Sequence, residues 1–106
     1  MYIQIRNYKV AAQFEWRPEK AQRNLAKHGV AFETAERVWD DPLHVIVPDR
    51  FEDGEERWQA IGMVGAVVLL IVVHTYPDLE DEDRVRIIGA RKATRHERRL
   101  YEQEGF

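Results

Sequence analysis

Three arginines, two histidines and two lysines supply the side chains of this sequence that are best suited to reaction chemistry on a charged substrate. Arg57 stands at the start of an apolar segment, and Arg86 and Arg91 lie on and just after another. Guanidinium is a planar fork that donates to two phosphate oxygens at once, so a group of arginines can clamp a phosphate and stabilise charge that develops on it. His28, Lys20 and His74 are the side chains that can move a proton, with Lys27 and Arg84 as further cations and Tyr101 as a ring on which a base can stack. Each also has a plainer role. Arg57 can pair with Glu55 or Glu56, Arg86 with the acidic run that precedes it, His28 can close a helix as a C-terminal cation, and His74 can be a core histidine bonded to backbone. Tyr101 can pack on a sheet beside Leu100.

Other chemistries lack their residues. There is no cysteine, hence no disulfide, thiolate site or thiol nucleophile, which fits a reducing compartment. His28, His44, His74 and His96 show no metal-binding spacing, the acidic runs do not follow a calcium-loop pattern, and no Gly-rich phosphate loop or serine elbow occurs. No metal and no cofactor is therefore expected.

The net charge is −3 over 106 residues, but it is unevenly placed. Residues 78–83 hold five acids and no base, whereas residues 84–99 hold seven Lys or Arg against Glu97. Exposed charges are screened beyond about 8 Å at physiological ionic strength, so this basic quarter is compatible with RNA, and equally with an ordinary solvated face. The longest apolar run, Ala66 to Val73, is far short of the ~20 residues of a membrane span, and the N-terminus lacks an apolar signal core. A cytoplasmic protein with no membrane contact is the expectation.

The elements that must position these residues follow from periodicity. Residues 1–12 are poorly patterned and read as an extension of a domain at 13–106. Phe14–Trp16 is a short extended piece, Pro18 suits a first helical position, Ala21 and Leu25 give an apolar row, and Gly29 stops the helix. Lys20, Asn24 and Lys27 form its polar row. Phe32, Ala35, Val38 and Trp39 predict a second helix, ended by Pro42. Four strands follow, at Leu43–Val47, Arg57–Met63, Val67–His74 and 84–89, with a charged loop at 49–56, a turn at Gly65 and the acidic loop at 78–83. Thr94 and Glu97 form a capping box that opens a last helix. The sum is an α+β domain: two N-terminal helices, a four-stranded antiparallel meander able to bring Arg57, Arg86 and Arg91 to one face, and a C-terminal helix.

Phe14-Glu15-Trp16, Lys20, Asn24, Lys27-His28-Gly29-Val30, Phe32, Ala35, Glu56-Arg57-Trp58 with Ile61-Gly62, Arg86-Ile87-Ile88, Ala90 to Thr94 and Glu97-Arg98 resemble the BrnT toxins, in order and spacing over residues 14–101. Arg17 departs from the Asp common in that family, and residues 1–12 precede its usual start. The resemblance implies a RelE-like fold, metal-free RNA cleavage by 2′-OH attack that blocks translation, and a BrnA-type antitoxin. That antitoxin would carry the DNA-binding domain, so operator DNA is met through it, in a complex of two toxin and two antitoxin chains. With the resemblance, Arg57, Arg86 and Arg91 become the expected phosphate clamp, Lys20, His28 and His74 the acid–base candidates, and Lys27, Arg84 and Tyr101 the substrate contacts. The reading from another class is a non-catalytic module that binds RNA or an acidic peptide.

Overall fold

The computed structural model describes residues 12–66 and 68–104. The segment read as an N-terminal extension lies, apart from Ala12, outside the described residues. Strand β1 (Gln13–Glu15) leads into helix α1 (Pro18–His28), then α2 (Phe32–Ala35), strands β2 (Val45–Glu52), β3 (Glu55–Val64), β4 (Val68–Thr75) and β5 (Arg84–Lys92), and helix α3 (Arg95–Glu104).

Local signals explain most boundaries. Pro18 opens α1, where its missing N–H costs no helical hydrogen bond, and Gly29 ends it at φ 72° with its N–H donating to the Leu25 carbonyl at 2.9 Å. The second helix is shorter than its periodicity predicts. It makes one α-turn and continues as a 3-10 helix over Glu36–Asp40. Phe32, Ala35 and Val38 are spaced by three, the period of a 3-10 helix, and all three are fully buried. The capping box forms as expected, with Glu97 N–H donating to Thr94 Oγ1 at 3.2 Å and Thr94 N–H to Glu97 Oε1 at 2.9 Å.

The sheet differs from the expected four-stranded meander in two ways. Among the described residues it has five strands in the order β1-β5-β4-β3-β2, and β1 pairs in parallel with β5 through Gln13↔Arg84, Phe14↔Val85 and Glu15↔Arg86. The extended piece at Phe14 is thus an edge strand of a mixed sheet. The charged stretch 49–56 is not a loop either. β2 and β3 run through it and turn tightly at Asp53 (φ 54°) and Gly54 (φ 77°), the two positive angles of an Asp-Gly hairpin. Its charges are tolerated because they pair with one another, Arg50 with Glu52 along β2 and Arg57 with Glu52 and Asp53 across the hairpin.

Both faces of the sheet are covered, unequally. On one, α1 and α2 bury Val30, Phe32, Ala35 and Val38 against Ala60, Leu70, Val72, Val85, Ile87 and Ala90. Gly62 permits the closest approach there, since a Cβ at that position would stand 2.9 Å from Val38 Cγ1. On the other face, α3 packs Leu100 and Tyr101 over Ile61, Met63, Leu69 and Ile71. Asp41 fixes that packing: its Oδ2 accepts the Tyr101 hydroxyl at 2.7 Å and the Met63 N–H at 2.8 Å.

Asn24, which the sequence places in a polar row, is buried and joins α1 to β5. Its Nδ2 donates to the Val30 and Ala90 carbonyls, both at 2.9 Å, and its Oδ1 accepts the Ala90 N–H at 3.0 Å. Asn24→Ala orphans these buried backbone groups, at about 1–3 kcal/mol for each group left unpaired. The expected loss is about 2 kcal/mol or more, roughly 10 °C in melting temperature for a domain of this size; a melting curve unchanged from wild type would contradict the assignment.

Candidate functional site

The arginine face is built by register. Trp58 pairs with His74, so the next position on each strand sets Arg57 beside Thr75, and Thr75 pairs with Arg86, which in turn pairs with Glu15. Arg57, Thr75, Arg86 and Glu15 thus form a row across four strands, on the same face as α3 but at the end of the sheet beyond Ile61 and Ile71. Arg91, opposite Ile71, stands at the border with α3.

Arg86 and Arg91 are an odd number of residues apart, which in a regular strand sends side chains to opposite faces. A bulge restores the match. Val73 pairs with Gly89 and His74 with Ile87, so Ile88 is an extra residue in β5 and the alternation restarts behind it. Straight alternation does not foresee this, although a glycine inside a strand pattern, here Gly89, is the signal that marks such a place.

Each arginine is held by a carboxylate: Arg84 and Arg86 by the distant Glu15, Arg57 by Glu52 and Asp53 instead of Glu55 or Glu56, and Arg91 by Glu97, the acid nearest to it in sequence. Glu15 accepts Arg84 Nε at 2.9 Å and Arg86 Nε at 3.1 Å. The Arg84 guanidinium, helped by Arg86 and opposed by partial burial, holds the Glu15 carboxyl below its usual range. Glu97 accepts both terminal nitrogens of Arg91 at 2.7 Å, a bidentate pair that lowers its carboxyl to about 2. Arg57 is more loosely held, at 3.4 Å from Glu52 Oε1 and 3.6 Å from Asp53 Oδ2, although its side chain is only 16% exposed. Glu15 and Thr75 are the members of this row that sequence reasoning missed. Glu15 lay in the Phe-Glu-Trp motif but had no strand partner until β1 paired with β5; Thr75 carried no motif at all.

The other candidates stand elsewhere. Lys20, Lys27 and His28 belong to α1, in the layer on the opposite side of the sheet, with Lys27 and His28 exposed. They do not join the arginine row. His74 is fully buried on that opposite face, edge-on to Trp39 and Tyr76 at ring distances of 5.0 and 5.1 Å. It donates from Nδ1 to the Val72 carbonyl at 3.2 Å, with Nε2 3.2 Å from the Tyr76 hydroxyl. Its ring therefore lies in the layer opposite the arginine row and does not join it. Tyr101 is committed to Asp41, and burial together with that hydrogen bond pushes its hydroxyl up to about 12, so it holds α3 rather than a base. A groove of about 270 Å³ at the Met63 end is lined by Arg37, Asp40, Asp41, Pro42, Met63 and Gly65, away from the row. Among the described residues no cluster of His, Cys, Asp and Glu could hold a metal ion, and no helix is long and apolar enough to cross a membrane.

The described residues thus form a small α+β domain whose mixed sheet carries a row of arginines on a half-covered face. The chain belongs to the BrnT family of ribonuclease toxins of type II toxin–antitoxin systems, whose family model matches residues 16–97. Its fold is similar to that in the crystal structure of the Brucella abortus ribonuclease toxin, BrnT, at 23% identity and a TM-score of 0.61, over 79% of this chain and 99% of that one. No curated protein sequence matches it.

His74 makes stability depend on acid. Burial is the largest cause that lowers its pKa from 6.5 to about 4, so between those values the unfolded chain binds a proton that the folded chain does not. Stability contributed by the neutral ring is present above pH 6.5 and is lost as pH falls towards 4, by on the order of 3 kcal/mol. Denaturant midpoints should fall across that window in the wild type and less steeply in His74→Gln; equal slopes would contradict the assignment.

Proposed function

We propose that the chain is a metal-independent endoribonuclease that cleaves RNA by attack of the ribose 2′-OH, with Arg57, Arg86 and Arg91 clamping the scissile phosphate and Arg84 contacting its neighbour. One observation carries this reading: the Ile88 bulge turns Arg86 and Arg91 to the face that also bears Arg57. Stabilising charge that develops on the phosphorane needs donors aimed at it, and guanidiniums gathered on one face, exchanging their carboxylates for the phosphate, are such donors.

The proton of the 2′-OH passes to Glu15 as the O2′–P bond forms, and the P–O5′ bond breaks with the leaving oxygen taking a proton from solvent. Glu15 is ionised in the free protein because Arg84 and Arg86 hold it. When Arg86 turns to the phosphate, Glu15 loses part of that stabilisation and becomes a stronger base. The product is a 2′,3′-cyclic phosphate. Cleavage of this kind would block translation, and a BrnA-type antitoxin that covers the arginine face would neutralise it, as two toxin and two antitoxin chains with operator DNA bound through the antitoxin.

Purified protein should cleave a short RNA in EDTA and leave cyclic phosphate ends; 3′-hydroxyl ends, or loss of cleavage restored by a divalent ion, would contradict the mechanism. Arg57→Ala and Arg86→Ala should each lower the single-turnover rate by about 100-fold or more, while His28→Ala remains near wild type. With Glu15 as base the rate should be level from about pH 6 to 9 and fall only in the acid range where the carboxylate takes up a proton. An inflection near pH 6.5 that His28→Ala abolishes would return the base to His28.

A further inference from the structure

Among the described residues, two buried donors on the arginine face have no hydrogen-bond partner: the Thr75 hydroxyl and Arg57 Nε. Thr75 is completely buried, and the register sets it between Arg57 and Arg86. Buried polar groups in folded proteins are nearly always paired, and an exception marks strain, a water or ion, a ligand or a reacting group. The third unpaired buried atom, Glu52 Oε1, lies 3.4 Å from Arg57 Nη1, so the Thr75 hydroxyl and the Arg57 guanidinium, with Arg86 beyond them, have the composition of an anion seat that a carboxylate borders in the free protein.

The hydroxyl makes no hydrogen bond to any described residue. Along the same face of β4 the side chains before it are Leu69, Ile71 and Val73, and valine at 75 would fill the same space with the same preference for a strand. A neutral hydroxyl is suited to touching a phosphate oxygen at a dry position, because it loses less on desolvation than a third cation would. The approach is open to exchange. Arg57 is held at 3.4 and 3.6 Å, and its Asp53 partner is 82% exposed, so its guanidinium can leave these carboxylates for a phosphate.

We infer that Thr75 is a further catalytic residue of the ribonuclease reaction: as Arg57 turns to the scissile phosphate, Thr75 Oγ1–H and Arg57 Nε–H each donate to one of its non-bridging oxygens. This rests on the arginine row being the site of cleavage. The seat strengthens as negative charge accumulates on those oxygens, so its contribution belongs to the chemical step more than to binding.

The test compares Thr75→Val, which removes only the hydroxyl, with Thr75→Ser, which keeps it. Three readouts are needed: single-turnover cleavage of one short RNA, affinity for the same oligomer with 2′-deoxyribose at the scissile position, and melting temperature. Thr75→Val should cleave at least about tenfold more slowly and bind the deoxy oligomer within about threefold of wild type, with Thr75→Ser restoring most of the rate. Its melting temperature should be unchanged or higher, because an unpaired buried hydroxyl is removed. Cleavage by Thr75→Val within about threefold of wild type, while Arg57→Ala is inactive, overturns the role of Thr75 and leaves the arginine site standing. Wild-type cleavage by Arg57→Ala overturns the site itself and the inference with it. A fall in melting temperature of more than about 5 °C in Thr75→Val assigns the hydroxyl to folding, through a buried water for instance, and also overturns the inference.

Discussion

Arg86 and Arg91 share one face of the sheet because β5 contains one residue more than its partner strand. A sheet alternates its side chains with period two, and without the extra residue Arg91 would leave through the face that α1 and α2 already fill. The bulge at Ile88 has to be held in place, and Asn24 does this from the helix layer by satisfying both backbone groups of Ala90, just beyond it. A buried amide on α1 therefore fixes the register of arginines on the opposite face.

The second constraint is how much of the face α3 covers. Two anchors set its position: Tyr101 on Asp41 at one end and Glu97 on Arg91 at the other. Between them the helix buries Ile61, Leu69 and Ile71 and stops before Arg57, Thr75 and Arg86. Burial opposes the ionised form of Asp41, and the hydrogen bonds from Met63, Tyr101 and Leu43 outweigh it, so the carboxylate is charged where it anchors the helix. A longer apolar contact would close the arginine row; a shorter one would leave the helix unheld. Arg91 serves both sides, bracing α3 through Glu97 in the free protein and facing the site from its border.

Much of this was legible in the sequence wherever a local rule decides the outcome. Pro18 and Gly29 bound α1, Gly65 turns the chain, the Thr94–Glu97 box opens α3, and alternation in β5 placed Arg84 and Arg86 on one side. The fifth strand was not legible, because three residues at Phe14 carry no periodicity and parallel pairing to β5 is a contact across some seventy residues. The hairpin at Asp53-Gly54 was legible and was obscured by the charges around it, which pair with one another instead of breaking the strand. Among site residues, arginines announce themselves by type. Glu15 and Thr75 gain their roles only from the row they occupy, and His74 and Asn24 look reactive or exposed by type while burial gives them structural work. The separation of Lys20, Lys27 and His28 from the arginines is likewise a fact of layers: a helix packed on one face of a sheet and a strand facing the other can be near in sequence patterns and still act on different surfaces.

The central claim is that RNA meets the protein on the arginine face and not on α1. The most direct measurement is NMR of the arginine Nε–Hε and backbone amide signals during titration with a 2′-O-methyl RNA that cannot be cleaved. The account predicts that the Nε–Hε signals of Arg57, Arg86 and Arg91 shift together and saturate at one concentration, with the amides of Lys20 to His28 unmoved. Shifts confined to α1, with the arginine signals silent, would contradict it.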